Sequence, residues 1–276
     1  MKRRAQQRSI NLLAYSLSFI AIVLTLFPIL WIFSISIKTQ RDAFAIPPVW
    51  IFEPIWKNYA EIWQTSGFGD AFLNSIIVTT IGVLIALAVG IPAAYALNRL
   101  TFGGKQPMMI WLLLCYMFPQ FLFIIPMYVL YQNIGLYDTQ IGLALVYQVL
   151  VLPLAIWLLR GFFNEVPSEL DDASRIDGCN RLGTIYHVYL PLTAPGIAAT
   201  AILCAIWIWN ELTIALALTF SSARTVTGAV AGFRGYASID WGGMTAASIV
   251  AILPMLIFAA IAQRYIVKGL TLGAVK

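Results

Sequence analysis

The chain has 276 residues, of which 61% are hydrophobic and 11% charged, with a net charge of +5. A soluble domain of this length needs far more polar surface, so the composition excludes one and points to a membrane protein. The positive balance calls for no nucleic acid, because it follows from where the bases fall along the chain.

A helix crosses a hydrocarbon core of roughly 30 Å with about 20 apolar residues. Six stretches are long enough, near 12–34, 71–97, 108–131, 139–161, 192–219 and 244–266. They are continuous apolar runs without the alternation of barrel strands, and a helix satisfies its own backbone in lipid. The expected fold class is therefore all-α, a polytopic membrane protein with six transmembrane helices.

The first run follows the basic residues Lys2, Arg3, Arg4 and Arg8. It is too long for the apolar segment of a typical signal peptide, and FSISIKTQ behind it offers no small-x-small cleavage site. A retained helix is expected, with residues 1–38 forming a tail and first span. Residues 39–70 form an outer loop in which WKNYAEIWQ sets Trp56, Tyr59 and Trp63 at helical spacing, the pattern of an interfacial helix.

The five remaining spans, residues 71–267, would form a core that includes Pro92, Pro119, Pro126, Pro153 and Pro254 within or near the ends of apolar runs. Membrane helices tolerate proline where neighbours re-satisfy the freed carbonyls. Twelve of the seventeen bases lie in the N-terminal tail, the loop after the second span, the loop after the fourth, and the C-terminal tail 268–276 with Arg264 just before it. Only Lys38, Arg41, Lys57, Arg224 and Arg234 fall on the other side. By the positive-inside rule both termini are cytoplasmic.

The cytoplasmic loop 164–190 is the longest on its side and concentrates charge: ELDDASRIDG, residues 169–178, holds four of the twelve acids. Ser168 is placed as an N-cap, the acids suit a first turn, and Gly178 supplies a position able to take positive φ. A short helix over 169–177 is expected, then a second from about 180 to 189, ending before Pro191. On the first, Leu170, Ala173 and Asp177 share one face, and Glu165, Glu169 and Asp172 another. That mixture suits docking into a groove on a cytoplasmic partner; a solvated loop is the plainer alternative.

In the fifth run WIWNEL places Glu211 as the only acid within a span, beside Trp207, Trp209 and Asn210. A charge there is costly and usually faces a polar cavity, though a structural pairing would also account for it. Aromatic faces with amide and carboxylate acceptors suit a sugar. The outer stretch 221–241, with Gly228, Gly232 and Gly235, reads as an adaptable loop or a plain connector. Cys115, Cys179 and Cys204 are not placed for a disulfide, and His187, the only histidine, lacks partners at metal spacing. No metal site and no catalytic constellation is expected. Gly178 and Gly183 have the glycine spacing of a phosphate-binding loop, but Thr184 stands where its lysine is required.

Residues 167–191 resemble the EAA loop of permease subunits of ATP-binding-cassette importers. Asp172, Ala173 and Ser174 stand at its first three places, followed by Asp177-Gly178 and by LPLTAP. The segments NYAEIW, FLNSIIVTT, FPQFLFIIPMYVLYQNIGLYDT, IWIWNELTIALALT and QRYIVKGLTLGAVK resemble the MalG-like carbohydrate branch. The resemblance implies a type I importer permease fold in a bacterial cytoplasmic (inner) membrane. It implies coupling to an ATPase through Glu169, Asp172, Ala173, Ser174, Asp177 and Gly178, and a substrate path bordered by Trp209, Asn210 and Glu211. The loop with Gly228, Gly232 and Gly235 would meet a solute-binding protein. Expected partners are a second, homologous permease, a cytoplasmic ATPase dimer that holds ATP and Mg, the binding protein, a sugar and the bilayer. This chain would carry no cofactor and would not be an enzyme. A non-sugar solute and an ATP-independent carrier or channel are the alternatives.

Overall fold

A computed structural model describes residues 2–64, 67–235 and 239–272. They build α1 (Lys2–Ser36), α2 (Gln40–Ala43), α3 (Lys57–Gln64), α4 (Phe68–Arg99), α5 (Lys105–Met117), α6 (Phe121–Ile134), α7 (Gln140–Val146) and α8 (Gln148–Asn164). The segment 164–190 supplies α9 (Glu169–Ile176) and α10 (Arg181–Thr184), which runs through a π-helical turn (Ile185–Tyr189) into α11 (Leu190–Leu192). Then follow α12 (Ala194–Asn210), α13 (Thr213–Leu218), α14 (Val226–Gly232) and α15 (Trp241–Leu272). The chain divides into two units, residues 1–68 with 230–252, and residues 69–229 with 253–276.

In the first unit the apolar stretch Leu13–Ser36 of α1 is long enough to span. At its outer end the Ser36 hydroxyl is hydrogen-bonded to Tyr59 at 2.8 Å, and the Asn58 amide donates to the Ser36 carbonyl at 2.8 Å. The α3 helix forms as its spacing predicts, with Tyr59 turned onto α1 while Trp56 and Trp63 stay exposed. Lys38 is buried between the rings of Trp31 and Phe52, a cation–π arrangement.

In the second unit three of the expected spans are broken. Helix α4 is long and apolar enough to cross alone, as is the stretch Trp241–Ile261 of α15, which both units share, but α5 and α6 meet at 93°, α7 and α8 at 52°, and the α10–α11 segment meets α12 at 85°. The first break has a local cause. Phe118 precedes Pro119, and proline's ring pushes its predecessor out of the helical region; Phe118 is extended at φ −70° and ψ 130°. Pro92, Pro126, Pro153 and Pro254 instead sit inside helices. The fifth run is also shorter than expected: α12 stops at Asn210, and Glu211 is extended.

The core of this unit gathers Val78 and Ala86 of α4, Tyr147 and Leu150, Cys204 and Ile208 of α12, and Ile214 of α13. A second cluster, with Ala94, Tyr95, Leu159, Phe163, Ile185 and Tyr189, lies beside α9 and the π-helical turn. Helices α8 and α12 approach closely there, since a Cβ on Gly196 would stand 2.3 Å from the Phe162 ring.

Candidate functional site

The α9 helix is presented by its buried side. Asp171 is 5% exposed, and its carboxylate lies 3.1 Å from the Arg99 guanidinium at the end of α4. The Tyr189 hydroxyl donates to the same carboxylate oxygen at 3.1 Å, and Arg99 also donates to Tyr189 and to the Val166 carbonyl. Tyr189 is fully buried, with Tyr95 and Phe163 rings 5.1 Å and 5.0 Å away. Alongside, the Ser174 hydroxyl donates to the Asp171 carbonyl at 2.8 Å and lies 2.8 Å from that of Thr184. One charged clamp thus fixes α9 to α4 and to the π-helical turn, and one hydroxyl pair fixes it to α10.

The opposite side is free. Glu169, Leu170, Asp172, Ala173, Ile176 and Asp177 are exposed, Ile176 by 87%. Leu182 and Tyr186 extend this surface with further exposed apolar side chains. Gly178 ends the helix at φ +84°, where its N–H donates to the Arg175 carbonyl at 3.1 Å. That backbone strains any residue with a Cβ.

Several expectations need correction. Ser168 occupies the N-cap position in helical conformation, and its side chain caps nothing. Ser174, expected on the coupling surface, is buried in the clamp. The second helix does not stop before Pro191 but continues through it to Leu192. Its start is capped by Asn180, which accepts from the Gly183 N–H at 2.8 Å.

Farther along, Glu211 occupies the break between α12 and α13. It is 7% exposed, and its carboxylate accepts from the N–H groups of Ile214 at 2.9 Å and Ala215 at 3.0 Å. The Tyr147 hydroxyl donates to it at 3.1 Å, while Thr227 donates to the Glu211 carbonyl at 2.8 Å. The acid therefore caps α13, as an anion at a helix N-terminus should. Trp209 is buried edge-on to Phe72. Only Asn210 is exposed, its amide donating to the Ile206 carbonyl and lying 3.2 Å from the Met255 sulfur.

The outer stretch 221–241, expected as an adaptable loop, contains α14, and Gly228 is buried within that helix. Gly232 ends it and Gly235 is exposed; neither has a positive φ. Residues 236–238 lie outside the described residues. The turn before α14 is held by a residue that the sequence did not single out. Asp138 accepts from the backbone N–H groups of Phe220, Ser221, Ser222 and Ala223 and from the Ser221 hydroxyl, at 2.9–3.3 Å. Burial raises its pKa, but the four N–H donors outweigh that and hold the carboxyl well below its ordinary range. Asn74 adds hydrogen bonds to the carbonyls of Ser222 and Arg224, and Ser75 accepts from the Val226 N–H.

Residues 86–272 match the family described as the binding-protein-dependent transport system inner membrane component. The chain belongs to that family. It is a multi-pass inner-membrane transport subunit of the ATP-binding-cassette importer class. The trehalose transport permease SugB of Mycobacterium tuberculosis is 41% identical over 257 residues, covering 91% of this chain and 92% of that protein. The trehalose/maltose permease MalG of Thermococcus litoralis is 34% identical, covering 92% of each. A crystal structure of a bacterial ABC transporter that imports the acidic polysaccharide alginate has the same fold. Its TM-score is 0.79 at 22% identity, covering 94% of this chain and 97% of that one.

Proposed function

We propose that this permease takes up a sugar or oligosaccharide delivered by a solute-binding protein, driven by a separate ATPase dimer that binds ATP and Mg and grips α9. A second, homologous permease would complete the pore. The observation that carries this reading is the exposed acidic and apolar face of α9, held rigidly on its buried side by Arg99, Asp171 and Tyr189. An element anchored this way transmits a push from a cytoplasmic partner into the end of α4. The sugar class rests on relatives named for trehalose and maltose. In the proposed path Asn210 offers its amide to substrate, while Trp209 and Glu211 hold the break that presents it. The turn 220–225 and α14 would face the binding protein.

The test is ATP-dependent uptake by the reconstituted transporter. Gly178→Pro and Asp177→Lys are expected to insert normally in the membrane yet abolish uptake. The permease reconstituted alone is expected to move no solute. Normal uptake in both variants would overturn the coupling role of α9.

A further inference from the structure

Where the second span ends, three arginines from separate segments surround one cavity. Arg99 closes α4, Arg175 lies in the last turn of α9 and Arg181 opens α10; Leu100, Thr101 and Phe102 complete a lining around about 500 Å³. Lys105 stands close by, its ammonium 3.4 Å from the Asn98 carbonyl. Asp171 answers Arg99, but among the described residues no carboxylate lies within ion-pair distance of Arg175, Arg181 or Lys105. Cations gathered around one space repel each other unless an anion sits among them. The buried Tyr95 hydroxyl lies beside Arg175, and the second carboxylate oxygen of Asp171 has no hydrogen-bond partner.

Depth selects the anion. Arg99 stands two residues beyond the apolar run 71–97, where the chain is expected to leave the hydrocarbon, and Phe102 is exposed beside it. Guanidinium forks match phosphate oxygens bidentately, and basic pockets at the cytoplasmic ends of spans hold anionic headgroups. We propose that this cavity binds the phosphate of an anionic phospholipid, which ties the end of α4 to α9 and α10. The site is independent of the solute carried.

The experiment uses the assembled transporter in mild detergent, with dioctanoyl phosphatidylglycerol, dioctanoyl phosphatidylcholine and inorganic phosphate as probes. Binding is read by native mass spectrometry and thermal shift. The R175Q/R181Q double variant should lose roughly 30-fold in affinity for phosphatidylglycerol, with phosphatidylcholine binding and the melting temperature in that lipid unchanged. Equal phosphatidylglycerol binding by both proteins would overturn the proposal. Inorganic phosphate binding as tightly as the lipid, and lost in the variant, would make the occupant a soluble phosphate and overturn the lipid assignment. Loss of the ATPase from the variant complex would mean that an acidic side chain of that partner fills the cavity, which also overturns it.

Discussion

Asp171 and Asp172 are neighbours of the same charge with opposite environments, and their substitutions should separate stability from coupling. Asp171→Ala leaves the partly buried Arg99 without its counter-ion, which costs about 3 kcal/mol. Asp172→Ala removes an exposed charge and should stay within about 0.5 kcal/mol, while weakening retention of the ATPase. Thermal unfolding of the detergent-solubilised complex checks the first effect, and copurification the second. Glu211→Ala frees two N–H groups and a tyrosine hydroxyl in a buried place, for a loss of about 1–3 kcal/mol. Asn210→Ala, by contrast, should alter uptake at unchanged melting temperature. Asp138 adds a pH signature. Its folded pKa is depressed, so its contribution is complete above the unfolded value of about 3.9 and disappears only as pH falls through the lower folded value. Protease cleavage of the 220–225 turn should therefore stay constant from neutral pH down to about pH 4 in the native protein. Asp138→Ala should be cleaved faster across that whole range.

At the scale of elements, Gly178 tests how α9 must end. Nothing stands within 4 Å of a Cβ at this position, so only the backbone at φ +84° opposes a side chain. Uptake should fall in the order Gly178→Asn, Gly178→Ala, Gly178→Pro. Asparagine visits this conformation readily, alanine is strained by about 1 kcal/mol, and proline can neither adopt it nor donate to Arg175. This glycine stop was legible in the sequence because its signal is local, as was α3 from its aromatic spacing. The exposed acids of α9 were legible for the same reason. The clamp was not. Arg99 and Asp171 are separated by 72 positions, and only the folded chain shows which of two adjacent aspartates turns inward. Ser174 was misassigned on the same ground, since its place in the EAA-like pattern says nothing of the Thr184 hydroxyl it meets. The broken spans were half visible: proline marks the break at 118–120, but Pro153 lies in a continuous helix and the bend occurs at Tyr147 instead. Glu211 looked like a cavity acid because hydropathy runs on past Asn210, whereas the chain breaks there and uses the carboxylate to start α13.

For the whole molecule the question is how motion of a cytoplasmic helix reaches the membrane. Energy crosses a protein through packed elements that have discrete arrangements, and a rigid link transmits more of it than a loose one. Here α9 is joined to α4 by the Arg99–Asp171 ion pair and to the π-helical turn by Tyr189, so a displacement of α9 must either carry those elements along or break the clamp. Asp171→Asn keeps the shape of the side chain, removes its charge and leaves the exposed face intact. The ATPase should still dock and hydrolyse ATP, but part of each stroke would be lost in slippage between α9 and α4. In proteoliposomes the solute taken up per ATP hydrolysed should fall severalfold while the rate of hydrolysis stays within a factor of about two. Asp172→Asn, outside the clamp, should leave that ratio unchanged even where it weakens docking. An unaltered ratio in Asp171→Asn would mean that the stroke enters the membrane by another route, with the exposed apolar surface of Ile176, Leu182 and Tyr186 the next element to alter.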